Sequence, residues 1–211
     1  MIEIRHKVSG DVLLTLQAES LVGQSLQGAS LECANLARMN LSGADLRNAN
    51  LKEADLTEAQ LDDARLQEAC LQHANVSNAN LVRANLTDAI CDHAHFTDSN
   101  LSEAVLRYAR CNEADMAGAV LISADMSLAN LRHANLNDAN MNRANLRGTD
   151  LTGANLTGAN LTLSNMFDAK LMDARLERVK MEGAIGAHGQ RVPVRSATSA
   201  KKSRKWWHFW G

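Results

Sequence analysis

The 211-residue chain predicts an all-β fold in which a short repeated unit winds into a coil around a narrow core. Three observations lead to this prediction. An apolar residue stands at every fifth position from Leu21 to Met181, and an alanine precedes most of these residues by two positions. Aromatic residues make up only 3% of the chain, too few for the large side chains that dominate an ordinary globular core.

The period of five holds without an insertion. The 33 positions comprise 24 leucines and 5 methionines, together with Val76, Cys91, Phe96 and Cys111, and none is polar. Two residues earlier, between Ala29 and Val179, 26 of 31 positions are alanine. Leucine and alanine at fixed spacing indicate a core in which each repeat contributes one large and one small side chain.

A period of five fits neither common regular element. On an α-helix five residues advance by about 500°, so the leucines would spiral around every face. On a flat strand an odd step sends successive leucines to opposite faces. A short extended Ala-x-Leu segment with both ends inward, followed by two outward residues at a corner, satisfies the pattern. Representative inward residues are then Leu21, Leu46, Cys91, Phe96, Leu101, Cys111 and Leu151.

The tandem motif Ala-(Asp/Asn)-Leu-x-x, as in Ala44-Asp45-Leu46 and Ala154-Asn155-Leu156, resembles the pentapeptide-repeat family over residues 21–185. The resemblance implies a right-handed quadrilateral β-helix (a β-solenoid) with four pentapeptides per coil. About eight coils at the ~4.8 Å spacing of neighbouring strands would form a rod roughly 40 Å long. No cofactor is implied.

The two ends of the chain depart from the repeat. Residues 1–20 contain two alternating segments around Ser9-Gly10-Asp11, which predict a β-hairpin that caps the first coil. Residues 186–211 form a basic, tryptophan-rich tail, in which 186–200 is expected to be a flexible linker. The tail residues of interest are Lys201, Lys202, Arg204, Lys205, Trp206, Trp207, Phe209 and Trp210.

Several roles for this tail remain open at the level of sequence. It could dock back on the last coils, where Leu163, Phe167 and Met172 are outward and apolar, and cap the rod. Basic and tryptophan residues together also suit an anionic membrane surface, a protein partner, or stacking on nucleic-acid bases. Capping is favoured because the last coil would otherwise have an open edge.

In a four-sided coil, residues twenty apart form columns, and two columns carry charged or metal-ligating side chains. Asp63, Arg83 and Glu103 alternate in sign. A second column contains residue types that bind metal ions, but a straight row of side chains cannot surround a tetrahedral ion. We therefore predict a solvated corner and no metal site, with a pH-sensitive surface as the alternative. Its members are Cys33, Glu53, His73, His93, Glu113, His133, Gly153 and Asp173.

The remaining outward residues are mostly polar. The outward asparagines are expected to form hydrogen-bonded ladders between coils, and the inward Cys91 and Cys111 to be buried free thiols. A group of exposed apolar residues on neighbouring faces stands out and suggests a partner-binding surface. Its members are Val105, Tyr108, Val120, Ile122 and Leu128.

No motif for catalysis or phosphate binding occurs, so the sequence predicts a non-enzymatic scaffold that binds another protein. The net charge of −2 argues against direct binding to nucleic acid. The family resemblance adds an alternative, a DNA-mimicking binder of a type II topoisomerase, although arginines interrupt the acidic surface. A rod held at a membrane by its tail is the other alternative.

A cytoplasmic location is expected, with possible association at the membrane periphery through the tail. The N-terminus carries charges within its short apolar run, and no apolar segment reaches the ~18 residues of a membrane span. The four cysteines lack the spacing of a disulfide framework.

Overall fold

The computed structural model describes residues 1–194, which contain strands and turns but no helix. Strand β1 (Ile2–His6) pairs antiparallel with β2 (Val12–Leu16), and its other edge pairs antiparallel with β3 (Ala34–Asn35). The sheet order is therefore β2-β1-β3, with β2 at the free edge. Beyond β3 the chain forms single-residue bridges rather than longer strands.

The repeat region is a right-handed quadrilateral β-helix with four pentapeptides per coil, as predicted. The middle residue of each Ala-x-Leu segment forms a parallel bridge with the residue twenty positions later, from Ser25 with Asp45 to Asn165 with Ile185. Between coils the Leu46 amide donates to the Arg65 carbonyl (2.7 Å), and the Arg65 amide donates to the Ala44 carbonyl (2.9 Å). All four sides of the rod repeat this pair of bonds between successive coils, up to the last coil.

The core is a continuous stack of leucine and alanine side chains along the rod axis. Phe96 is fully buried and follows the shorter Val76 in its inward column, which leaves room for the ring. The inward residues identified from the sequence are all buried: Leu21, Leu46, Cys91, Phe96, Leu101, Cys111 and Leu151.

Each corner is a four-residue turn closed by a hydrogen bond from alanine to the preceding leucine, as from the Ala44 amide to the Leu41 carbonyl (2.9 Å). The third residue of the turn has a positive φ at every corner, and 25 of these residues are not glycine. This conformation costs a bulky L-residue on the order of 1 kcal/mol. The hydrogen bonds on both neighbouring coils hold the backbone there despite that cost.

The asparagines form the predicted ladders, but only at some positions. Among the described residues, five amide contacts join middle residues of Ala-x-Leu segments twenty positions apart, including Asn155 to Asn135 (3.2 Å) and Asn160 to Asn140 (3.1 Å). Far more often, at nineteen positions, the Asn or Asp side chain accepts the backbone N–H two residues later. The main role of Asn/Asp is therefore to satisfy the first N–H of the corner.

The hairpin lies across the first coil. Ile4 of β1 is fully buried against the core, and the Lys7 amide donates to the Cys33 carbonyl (2.8 Å). A shallow apolar recess lined by Ile2, Leu21 and Met39 lies beside it.

The prediction of a flexible linker is wrong for residues 186–194. This segment turns back and pairs antiparallel with the last coil, through the bridge between Ile185 and Arg191. The Gly183 amide donates to the Val192 carbonyl, and the Val192 amide donates to the Ala184 carbonyl (both 2.9 Å). Backbone N–H and C=O groups at the end of the rod need hydrogen-bond partners, and residues 186–194 provide such partners along one side of the last coil. Residues 195–200 of the expected linker lie outside the described residues.

Candidate protein-interaction site

The five apolar residues predicted as a partner surface lie together near the middle of the rod. Val120 is on one side, Ile122 at the corner that follows it, and Val105 on the next side. Tyr108 and Leu128 occupy the far corner of that side on consecutive coils. We call these five residues the apolar belt. Tyr108 and Leu128 are 47% and 51% exposed, whereas the other three are half-buried.

Tyr108 and Leu128 form the most prominent part of the belt. Both have a positive φ (60° and 61°), which is unfavourable for bulky side chains. Leu128 leans over Gly148 on the next coil, so that a Cβ atom at Gly148 would lie only 2.8 Å from Leu128 Cδ2. Glycine at position 148 therefore makes room for Leu128 in its exposed position.

Arginines flank this corner. The Arg107 guanidinium lies 5.7 Å from the centre of the Tyr108 ring and its Nε lies 4.0 Å from an Asp125 carboxylate oxygen. Farther along the same corner, Arg147 lies 5.4 Å from the centre of the Phe167 ring. Tyrosine and arginine beside exposed apolar residues are the composition of protein–protein hot spots.

The belt replaces residues that the fold uses elsewhere for hydrogen bonding. Val105 and Val120 stand where Asn or Asp normally accepts the N–H two residues later. The N–H groups of Arg107 and Ile122 consequently have no hydrogen-bond partner within residues 1–194. Losing such a bond costs about 1 kcal/mol. The two valines therefore leave corner amides without the acceptor that Asn or Asp provides, as Cys70 and Ile90 also do elsewhere on the rod.

Arg110 also stands where Asn or Asp normally accepts the corner N–H, but here another residue accepts it. Asp92, on the preceding coil, accepts from the Asn112 backbone N–H (3.0 Å) and from its side-chain amide (2.6 Å), and it pairs with Arg110 (2.6 Å). Asp92 is only 5% exposed because these partners surround it. Sequence reasoning missed this residue, although the departure from Asn/Asp at position 110 was a visible signal.

The column of ligand-type residues is a row of pairwise contacts along one corner. The His73 and His93 rings stack with centroids 4.8 Å apart, and His93 Nδ1 lies 3.6 Å from a Glu113 carboxylate oxygen. At its start Cys33 Sγ lies 3.7 Å from Glu53, and at its far end His133 lies over Gly153. Within residues 1–194 no group of three or more His, Cys, Asp or Glu side chains could hold a metal ion.

Charges on the rod are paired in the predicted alternating column. Arg83 donates two hydrogen bonds to Asp63 (2.8 and 2.7 Å) and lowers the pKa of that carboxyl.

The four cysteines are free, and a hydrogen bond to Cys111 together with complete burial raises the pKa of the Cys91 thiol. No helix long and apolar enough to cross a membrane occurs in the described part of the chain.

The tail residues proposed from the sequence, 201–210, lie outside the described residues. The segment 186–194 lies near two of their three expected contact points, but Leu163 remains 46% exposed. Phe167 lies against Gly189, and Leu163 lies beside Gly183 and Val194. Met172, in contrast, is 70% exposed.

The coil geometry defines the protein as a quadrilateral β-solenoid that presents its outward residues in columns. The chain belongs to the pentapeptide-repeat family, whose model matches in 8 copies. The matches overlap and together span residues 21–185.

Solved pentapeptide-repeat structures resemble the chain. HetL from the cyanobacterium Nostoc, described as involved in the regulation of heterocyst differentiation, is 31% identical over 81% of this chain and 88% of its own length (TM-score 0.38). A protein from the Arabidopsis thaliana thylakoid lumen is 34% identical over 46% of this chain and 68% of its own (TM-score 0.45). QnrB1, a plasmid-mediated fluoroquinolone resistance protein, is 18% identical over 77% and 91% (TM-score 0.39). Comparison with curated proteins finds no match.

Proposed function

We propose that this protein is a non-enzymatic scaffold that binds another protein through the apolar belt. The observation that carries the proposal is the replacement of hydrogen-bonding Asn/Asp by Val105 and Val120. Both replacements fall in the same region as the exposed Tyr108 and Leu128. Elsewhere on the rod the same positions mostly carry polar residues that stabilise the corners.

The chemistry of the belt describes the kind of partner. Its centre is apolar, so the partner surface would offer apolar side chains. Arg107 and Arg147 stand at its border, where they could pair with carboxylates of the partner. The rigid stack of coils holds these groups in fixed positions, which lowers the entropic cost of binding.

Mimicry of DNA has less support. Some acidic side chains along the rod pair with arginines and so interrupt its acidic surface, as in the contacts of Arg38 with Glu58 and of Arg110 with Asp92. The protein should therefore leave the supercoiling activity of DNA gyrase unchanged at micromolar concentration. Inhibition that weakens with rising salt would instead favour mimicry.

Affinity capture from an extract of the source organism, followed by quantitative mass spectrometry, tests the proposal. The wild-type protein is compared with Tyr108→Ser/Leu128→Ser and with the control Asn48→Ser/Glu68→Ser, which changes the same corner two and three coils earlier. We expect a specific protein to be retained by the wild type and the control and to be lost from the belt variant. Equal capture by all three proteins would refute a role for the belt.

A further inference from the structure

The C-terminal end of the rod is only partly covered by the described chain. In the coil below the end, the amides of Leu151, Leu156 and Leu161 donate to the carbonyls of Lys170, Arg175 and Lys180 (2.7–2.9 Å). The corresponding amides of Leu171, Leu176 and Met181 have no acceptor within residues 1–194. Among the described residues, three sides of the last coil therefore end in backbone amides without an acceptor.

The same three sides expose the end of the core. Leu171, Leu176 and Met181 are only half-buried, whereas Leu151, Leu156 and Leu161 one coil below are fully buried. We call Leu171, Leu176 and Met181, with their unpaired amides, the C-terminal rim. An open sheet edge combined with apolar side chains recruits other chains unless it is covered.

The position of Val194 shows how the rim could be covered. Residues 186–194 close only the fourth side, and the chain then reaches the corner next to Met181. There Val194 Cγ2 lies 3.4 Å from the position that a Cβ atom on Gly183 would occupy. Residues 195–211 continue from this corner, and they are numerous enough to follow three five-residue sides.

We propose that residues 195–211 dock on the C-terminal rim of the same chain and complete the cap begun by residues 186–194. Trp206, Trp207, Phe209 and Trp210 would cover the exposed leucines and Met181, and backbone carbonyls of the segment would accept from the unpaired amides. The last coil carries both acidic and basic side chains, so apolar contact rather than net charge provides the attraction.

Tryptophan fluorescence of the full chain reports on this contact directly, because all three tryptophans of the protein lie in the segment. We expect emission at the wavelength of buried indole and protection from acrylamide quenching in dilute buffer without lipid. Leu176→Ser/Met181→Ser should shift the emission to that of free tryptophan. The control Tyr108→Ser/Leu128→Ser, far from the rim, should leave it unchanged.

A second variant keeps the test decisive if the rim substitutions disturb the last coil. Replacing Trp206, Trp207, Phe209 and Trp210 by serine should lower the melting temperature by at least about 4 °C. Lys201→Gln/Lys202→Gln, which changes the same segment without removing aromatic residues, should have little effect. An aromatic variant with an unchanged melting temperature would overturn the proposal.

Three other outcomes would also overturn it. Solvent-exposed emission in the wild type would show that the segment is undocked. A blue shift that requires vesicles of phosphatidylglycerol and phosphatidylcholine would show that the aromatic residues bind a membrane. A blue shift that disappears on dilution, together with a dimer in light scattering, would show that the segment docks on a second copy.

Discussion

At the scale of single residues, the Asn or Asp of each repeat matters chiefly because it accepts a backbone N–H at the corner. Asn100 shows the arrangement: its side-chain oxygen accepts from the Ser102 amide (3.1 Å) and hydroxyl (2.7 Å). Val120, one coil later on the same side, offers no such acceptor to Ile122. Stability therefore favours Asn at this position, whereas the proposed binding role favours Val.

This opposition predicts opposite effects of two substitutions. Asn100→Ala should lower the free energy of unfolding by about 1 kcal/mol because the Ser102 amide loses its acceptor. Val120→Asn should raise it by up to about 1 kcal/mol while weakening capture of the partner. Urea unfolding measures both effects. A destabilised Val120→Asn variant would contradict the assigned role of the side chain.

The inward and outward positions predict a second contrast between neighbours. Leu101 is fully buried, so Leu101→Asp places a charge in the core without a partner and should abolish cooperative folding of the surrounding coils. Ser102→Asp, one residue later at the corner, should change stability by less than about 0.5 kcal/mol. Thermal unfolding followed by circular dichroism compares them, and equal effects would refute the register.

At the scale of the element, side chains at one corner interact with those twenty residues away. The Arg83–Asp63 pair spans two coils, and the hydrogen bonds from Arg83 lower the pKa of Asp63 from its ordinary value of 3.8. Because the pKa is lowered in the folded state, the pair stabilises the fold at pH values above the ordinary pKa. This stabilisation is lost as pH falls through the lowered pKa.

Arg83→Gln should therefore lower the melting temperature slightly at neutral pH, and the difference from wild type should disappear in strong acid. The effect is small because both groups are exposed to solvent. Arg143→Gln is the matched control, since Arg143 lies at the same corner and forms no ion pair among residues 1–194. Melting curves recorded from pH 7 to pH 2 measure the difference. A difference in melting temperature between Arg83→Gln and wild type that stays the same from pH 7 to pH 2 would contradict the assigned interaction.

The sequence predicted the coil because the spacing of Leu and Ala specifies which residues face inward. It also identified the residues of the belt, since outward apolar side chains are conspicuous in a polar pattern. It did not reveal that Asn and Asp satisfy corner amides, because spacing alone does not specify the rotamer of a short polar side chain. The compensation by Asp92 and the pairing of 186–194 depend on contacts between coils, which no local pattern records.

At the scale of the whole molecule, stability comes from repeated contacts between neighbouring coils. Deleting residues 41–60 removes one full coil and preserves every column. We expect this variant to fold. The slope of its unfolding free energy against urea concentration (the m-value) should fall by about one eighth, because unfolding exposes less surface. Deleting 41–58 removes nearly the same length but breaks the five-residue register, so circular dichroism should show loss of the fold. Cooperative folding of both variants would contradict the coil model.

The whole rod presents the belt on a rigid support, and site-specific photo-crosslinking tests this central claim most directly. Benzoylphenylalanine replaces Tyr108 in one variant and Asn48, three coils away at the same exposed corner, in the other. Irradiation in the source organism should join the variant at position 108 to one discrete protein and leave the variant at position 48 without that product. The same products from both positions, or none from position 108, would contradict binding through the belt.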